Sequence, residues 1–81
     1  QWVATWMIVA AVVSAANRIA DNQYTARSFR SGTLYLSVPD HAHRYRLHTK
    51  RDDIRIMVNQ NIGQPIVKEV QIRVDRMVSI Q

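Results

Sequence analysis

Asp40 to Gly63 reads DHAHRYRLHTKRDDIRIMVNQNIG, and the way this stretch folds decides the rest of the chain. Pro39 and Asp40 open it: a proline near the first helical position already has helical φ, and its missing N–H would have had no partner there. Gly63 closes it as a left-handed C-cap. Leu47, Ile54, Val58 and Ile62 recur at helical spacing. A single straight rod conflicts with the charges, because on a 3.6-residue wheel Arg44 and Arg55 fall close to the direction of Ile62 and would point cations at the core. A break between Thr49 and Asp53 removes the conflict. The prediction is a helix over 40–49, a kink, and a helix over 53–62 with Asp52 or Asp53 as its N-cap.

Downstream, Gln64-Pro65 signals a turn, and Ile66 to Val74 (IVKEVQIRV) reads as a strand. Ile66, Val70, Ile72 and Val74 share one face and Val67, Glu69, Gln71 and Arg73 the other, with Lys68 the single charge on the apolar side. Upstream, Tyr24 to Arg30 and Thr33 to Val38 flank the turn signal Ser31-Gly32, which predicts an antiparallel hairpin with Leu34, Leu36 and Val38 facing one way. Residues 17–23 are polar and read as a helix end and loop.

Residues 2–16 carry no charge. The run stops at Asn17 and Arg18, short of the roughly 20 residues a spanning helix needs, and no basic residue precedes it as a signal peptide would require. A buried amphipathic helix is the expectation, with Trp2, Trp6, Val9 and Val13 facing the core. Its back face holds Ala4, Ala11 and Ala15, with Ile8 at the edge. Those alanines either simply favour helix or make a second packed surface, the contact of a homodimer or of a neighbouring segment.

The element order is therefore α-β-β-α-α-β over residues 1–74, with 75–81 as a tail. That is a two-layer α+β domain: a three-stranded sheet carrying its helices on one face, with Leu34, Leu36, Val38, Val70 and Ile72 beneath Trp6, Leu47 and Val58. The order matches the type II KH topology, a nucleic-acid-binding arrangement that grips a backbone with a GxxG loop between its central helices. Here that place holds Thr49-Lys50-Arg51-Asp52. Without glycine, backbone clamping is not expected, and charge from Lys50 and Arg51 is what remains.

With 81 residues, the chain makes one small domain. Hydrophobic residues at 47% exclude a disordered chain. The absence of cysteine removes disulfides, thiolate metal sites and a thiol nucleophile, and fits a reducing, cytoplasmic setting. A formal charge of +5 points either to simple solubility or to a polyanionic partner. The first residue is Gln1 rather than Met, which suggests a trimmed or partial chain.

The candidate binding set is Arg44, Arg46, Lys50, Arg51 and Arg55, outnumbering Asp40, Asp52 and Asp53 nearby. Two readings stand: a solvated helix face, or a nucleic-acid contact whose affinity would be salt-dependent and largely sequence-independent. Tyr45 lies among these cations and either stacks on an unpaired base or is half-buried in the core. Arg27, Arg30 and Arg73 would extend the surface across the sheet. His41 and His43, two apart on a helix, point away from each other and do not share a metal ion, and His48 reads as solvent-facing. No nucleophile elbow, paired-carboxylate site, P-loop or dinucleotide glycine pattern is present, so neither an enzyme nor a cofactor is expected.

Several positions also resemble the DciA family of bacterial proteins with a KH-like domain. Trp6, Val9 and Ala10 match its first-helix pattern, with Ala11 in place of its glycine. Gly32-Thr33-Leu34 matches its strand start. Ala42-His43, Leu47, Ile54, Asn59 or Asn61, and Ile62-Gly63 leading into Ile66 to Val74 match its last stretch, with His43 where the family often has Trp. The resemblance covers about residues 6–74. It implies a protein that binds DNA and assists loading of the replicative helicase.

Overall fold

The computed structural model describes residues 5–75. Its elements follow the expected order: α1 (Thr5–Arg18), β1 (Thr25–Arg30), β2 (Thr33–Val38), α2 (His41–His48), α3 (Arg51–Ile62) and β3 (Glu69–Val74). The sheet runs β1-β2-β3, with β1 antiparallel and β3 parallel to β2. A parallel pair needs a long crossover, and α2 and α3 supply it.

The hairpin turn is set by Ser31 and Gly32, at φ 50 and 81. Positive φ at both central residues gives the turn the twist that the flanking strands require. Register then sorts the side chains. Leu34, Leu36 and Val38 point under the helices beside Val70, Ile72 and Val74 of β3. Thr33, Tyr35 and Ser37 face the other way beside Glu69, Gln71 and Arg73. In β1 the pairing skips a residue between Ala26 and Ser28. Strict alternation would place Ala26 and Phe29 on opposite faces. The extra residue, Arg27, lets both turn inward, and both are buried.

The core gathers Val12, Ala16, Ala20, Tyr24, Phe29, Leu34, Leu36, Val38, Leu47, Ile54, Val58, Val67, Val70 and Ile72. Trp6 is not among them: at 72% exposure it lies on the surface, correcting the expected core role. The buried stripe of α1 runs instead through Val12, Ala15 and Ala16, with Ile8, Val9, Val13 and Ile19 partly covered. That is about a quarter turn from the expected face. Small residues win there because α1 packs directly on β1 and against α3, and alanines let backbones approach where an indole would hold them apart. Ala15, expected on the back face, is thus buried, while Ala11 is exposed. Trp2 and Ala4 lie outside the described residues, as does the tail after Asp75.

The break in the central stretch lies at Thr49 and Lys50: Thr49 keeps helical angles, at φ −71 and ψ −14, and Lys50 leaves them, at φ −104 and ψ 8. Asp40 caps α2, its Oδ1 accepting the His43 N–H at 2.8 Å. Gly63 ends α3 in the left-handed conformation at φ 86. The N-cap of α3 is Lys50, with no side-chain cap bond. Asp52 and Asp53 sit within the first turn, where their charge suits the helix dipole without capping it.

The last strand begins later than its pattern suggests. Residues 64–68 are irregular, so period-two reasoning fails there: Val67, assigned to the outer face, is buried at 1% exposure, and Lys68, assigned to the apolar face, is exposed. Lys68 and Glu69 both donate their N–H groups to Gly32 O, at 2.8 and 3.1 Å, which docks the strand entry onto the hairpin turn.

Candidate nucleic-acid interface

Leu47 is the one buried residue of α2, so it fixes how the helix is turned. On either side of it the basic residues divide. Arg44 and His48 lie on the flank toward β3, and with Arg51 of α3 they line a groove floored by Glu69, Val70, Gln71 and Ile72. Arg46 and Lys50 lie on the opposite flank, where with His43 and Leu47 they line a depression closed by Asn22 and Gln23 of the α1–β1 loop. Lys50 and Arg51 are consecutive at the elbow between the helices, so the two flanks adjoin there. The expected single patch is thus two basic strips sharing one corner, with Arg55 lining neither.

Arg44 is tied down. Its Nε donates to the Ile72 carbonyl at 3.2 Å, using one of the guanidinium's five donors on the open edge of β3. The contact satisfies part of an edge strand that has no further strand beyond it among the described residues. Arg51 Nε donates to His48 O at 3.1 Å. Arg55 is half-buried, and its Nε lies 3.9 Å from Asp52 Oδ1. That pair is long and open on the Asp52 side, and it leaves most of the positive field in place.

Tyr45 projects straight out between the two strips at 79% exposure, which removes the half-buried reading. His43 is held by Asp40, its Nδ1 lying 2.7 Å from Oδ1. Hydrogen bonding from the His43 N–H, and then from its ring, lowers the Asp40 carboxyl below its ordinary value. His48 is exposed, as expected, and it also lines the β3-edge groove, a place the sequence reading did not give it. The signal was its spacing of four from Arg44, which places both on one helix flank.

A second basic surface lies across the molecule, on the sheet face that no helix covers. Tyr35 stands at its centre. The guanidinium carbons of Arg30 and Arg73 lie 5.4 and 5.6 Å from its ring centroid. Arg27, Ser28, Ser37 and Asp75 complete a shallow cleft around it. Arg27 pairs with Asp75 at 3.5 Å. Tyr35 was also missed, although its place between Leu34 and Leu36 puts it on the outer face with Arg73.

None of the described histidine, aspartate and glutamate side chains cluster in threes as a metal ion would require. No described helix is long and apolar enough to cross a membrane. No family model matches the chain, and no curated protein or solved structure matches it.

Proposed function

We propose that this domain is a non-enzymatic nucleic-acid-binding adaptor whose contact surface is the elbow between α2 and α3. The observation that carries the reading is the groove where Arg44, His48 and Arg51 converge along the open edge of β3. A phosphate backbone laid in that groove would meet fixed donors on one wall and, past the elbow, Lys50 and Arg46 on the other flank. Tyr45, exposed between the strips, offers a ring for an unpaired base. Recognition would rest on charge and stacking rather than on backbone clamping, since no glycine occurs between the helices. A helicase as protein partner, and a role in placing it on DNA, rest on the resemblance to the DciA family.

The test is a fluorescence titration with single-stranded and duplex DNA at rising salt. Affinity should fall steeply with salt, and each cation removed should flatten the log–log slope by about 0.7–0.9. Salt-insensitive binding, or none at low salt, overturns the reading.

One observation favours a second role, protein–protein contact through α1. Trp6 and Met7 are 72% and 48% exposed. Met7, Ile8 and Ala11 form an apolar hollow with Ile62 and Ile66. Light scattering distinguishes the two: a strict monomer that binds DNA tightly removes self-association.

A further inference from the structure

The uncovered sheet face carries an arrangement that the helix-side reading does not use. Tyr35 sits on the central strand. Arg30, paired with Thr33, reaches it from one neighbouring strand and one end of the sheet. Arg73, paired with Ser37, reaches it from the other strand and the other end. Both guanidinium groups rest within cation–π range of the ring. Around them the face carries Thr33, Ser28, Ser37 and Gln71, with Glu69 beside Thr33 at one end and the Arg27–Asp75 pair near the other. A six-residue strand runs about 20 Å, enough for two or three splayed nucleotides.

We propose that this face is a second nucleic-acid contact, selective for single strands, in which an unpaired base stacks on Tyr35 while Arg30 and Arg73 take the flanking phosphates. The chemistry fits on three counts. An aromatic ring on an open sheet offers a π-face that every base can use, whereas paired bases in a duplex cannot reach it. The two guanidinium groups come from the strands on either side of Tyr35, as phosphates lie on either side of one nucleotide. Among the described contacts each arginine is held to the ring by an exposed cation–π contact alone. It can give up that contact to an incoming base and then pair bidentately with phosphate, a stronger bond for a guanidinium. An acidic peptide would satisfy the arginines but leave the ring unused. Tyr35, Arg30 and Arg73 take no part in the elbow groove, although the two surfaces adjoin at Glu69 and Gln71 of β3.

The experiment compares two labelled probes of about ten nucleotides, an oligothymidylate and an abasic oligomer with the same number of phosphates. The intact chain should bind the thymidylate about fivefold or more tightly than the abasic probe. Tyr35→Ala should erase that preference and Tyr35→Phe should keep it. The double change Arg30→Gln, Arg73→Gln should weaken both probes and flatten the salt slope. The double change Lys50→Gln, Arg51→Gln should weaken both probes alike and leave the preference intact. If it has no effect while the preference remains, the elbow reading fails and this one stands. Equal binding of the two probes overturns the proposal. So does a preference that survives Tyr35→Ala in a chain whose circular dichroism is unchanged, or one abolished by Tyr45→Ala instead.

Discussion

The side-chain amide of Asn59 pairs with both backbone groups of Val67: Nδ2 donates to the Val67 carbonyl at 3.0 Å, and Oδ1 accepts the Val67 N–H at 2.8 Å. An asparagine on α3 thereby acts as a piece of strand, satisfying a residue that has not yet joined the sheet and holding its side chain in the core. Asn17 at the end of α1 does the same for Ala26, at 3.3 and 2.8 Å. Asn59→Ala removes both partners at once and leaves a half-buried N–H and C=O unpaired. It should cost about 1–3 kcal/mol. Asn61→Ala, on the exposed side of the same helix turn and bonded only to Arg18 at 2.8 Å among the described contacts, should stay within about 0.5 kcal/mol of the parent. Urea denaturation of the two variants measures the difference, and equal losses would refute the assignment.

Two glycines hold positive φ for different neighbours. Gly63, at φ 86, has nothing within 4 Å of where a Cβ would sit. Gly63→Ala therefore pays only the left-handed backbone penalty, about 1–2 kcal/mol, and Gly63→Asn should recover part of it. Gly32, at φ 81, would place its Cβ 3.1 Å from Lys68 Cγ. Gly32→Ala should pay the same backbone cost plus a small steric one, and Lys68→Ala in that background should relieve only the steric part. Thermal melts of the four variants test the order.

The fold was legible because its punctuation is strong. Ser31-Gly32, Pro39-Asp40 and Gly63 each mark a boundary by backbone chemistry, and Leu34, Leu36 and Val38 fix which sheet face is covered. What stayed hidden follows from ambiguity in the residues. α1 is apolar on nearly every side, so its pattern allows two core faces. The choice went to Val12, Ala15 and Ala16 because the sheet comes close, which periodicity cannot express. The bulge at Arg27 and the irregular run before Glu69 break the period of two that assigned Val67 and Lys68 to faces. The cations were legible as a set, but their division followed from Leu47 alone pinning α2.

Tyr24 gives the domain an alkaline limit. It is buried at 5% exposure, and its hydroxyl donates to the Ala16 carbonyl at 2.8 Å. Burial pushes the phenol up to about 12 from 10.0. A raised folded value means that this contribution is fully present below pH 10.0 and is lost as pH rises through about 12. Between those limits the unfolded chain ionises while the native phenol keeps its proton, so stability should fall by about 2–3 kcal/mol. Tyr24→Phe should lose about 1 kcal/mol at neutral pH but lack this alkaline decline. Denaturation of both chains at pH 8 and pH 11.5 reads the difference, and parallel pH profiles would contradict it.

Asp40 should set an acid limit by the opposite sign. Its carboxyl is held low by the His43 N–H and then by the His43 ring. A depressed folded value means that the cap's contribution is present above 3.8, the ordinary value, and is lost as pH falls through the lower folded one. Asp40→Asn keeps an oxygen for the His43 N–H and should hold the helix cap without that acid dependence. Asp40→Ala should lower the melting temperature at neutral pH and converge toward the parent in strong acid. Melts at pH 7 and pH 2.5 check both, and an alanine variant as stable as the parent at pH 7 would rule out the cap as a source of stability.

Trp6 separates folding from association. At 72% exposure it contributes little to the core, so Trp6→Ser should change the unfolding free energy by no more than about 0.5 kcal/mol. Its loss should act instead on whatever α1 contacts through Met7, Ala11 and the neighbouring Ile62 and Ile66. With Trp2 replaced by Phe, the Trp6 indole should emit as a water-exposed ring and be readily quenched by acrylamide at low protein concentration. If α1 self-associates, raising the concentration should shift the emission to the blue and protect the ring, and Met7→Ser should cancel that shift without altering the melt. An indole that is protected at every dilution, or a Trp6→Ser variant that unfolds, would place Trp6 back in the core and require α1 to be turned to its other apolar face.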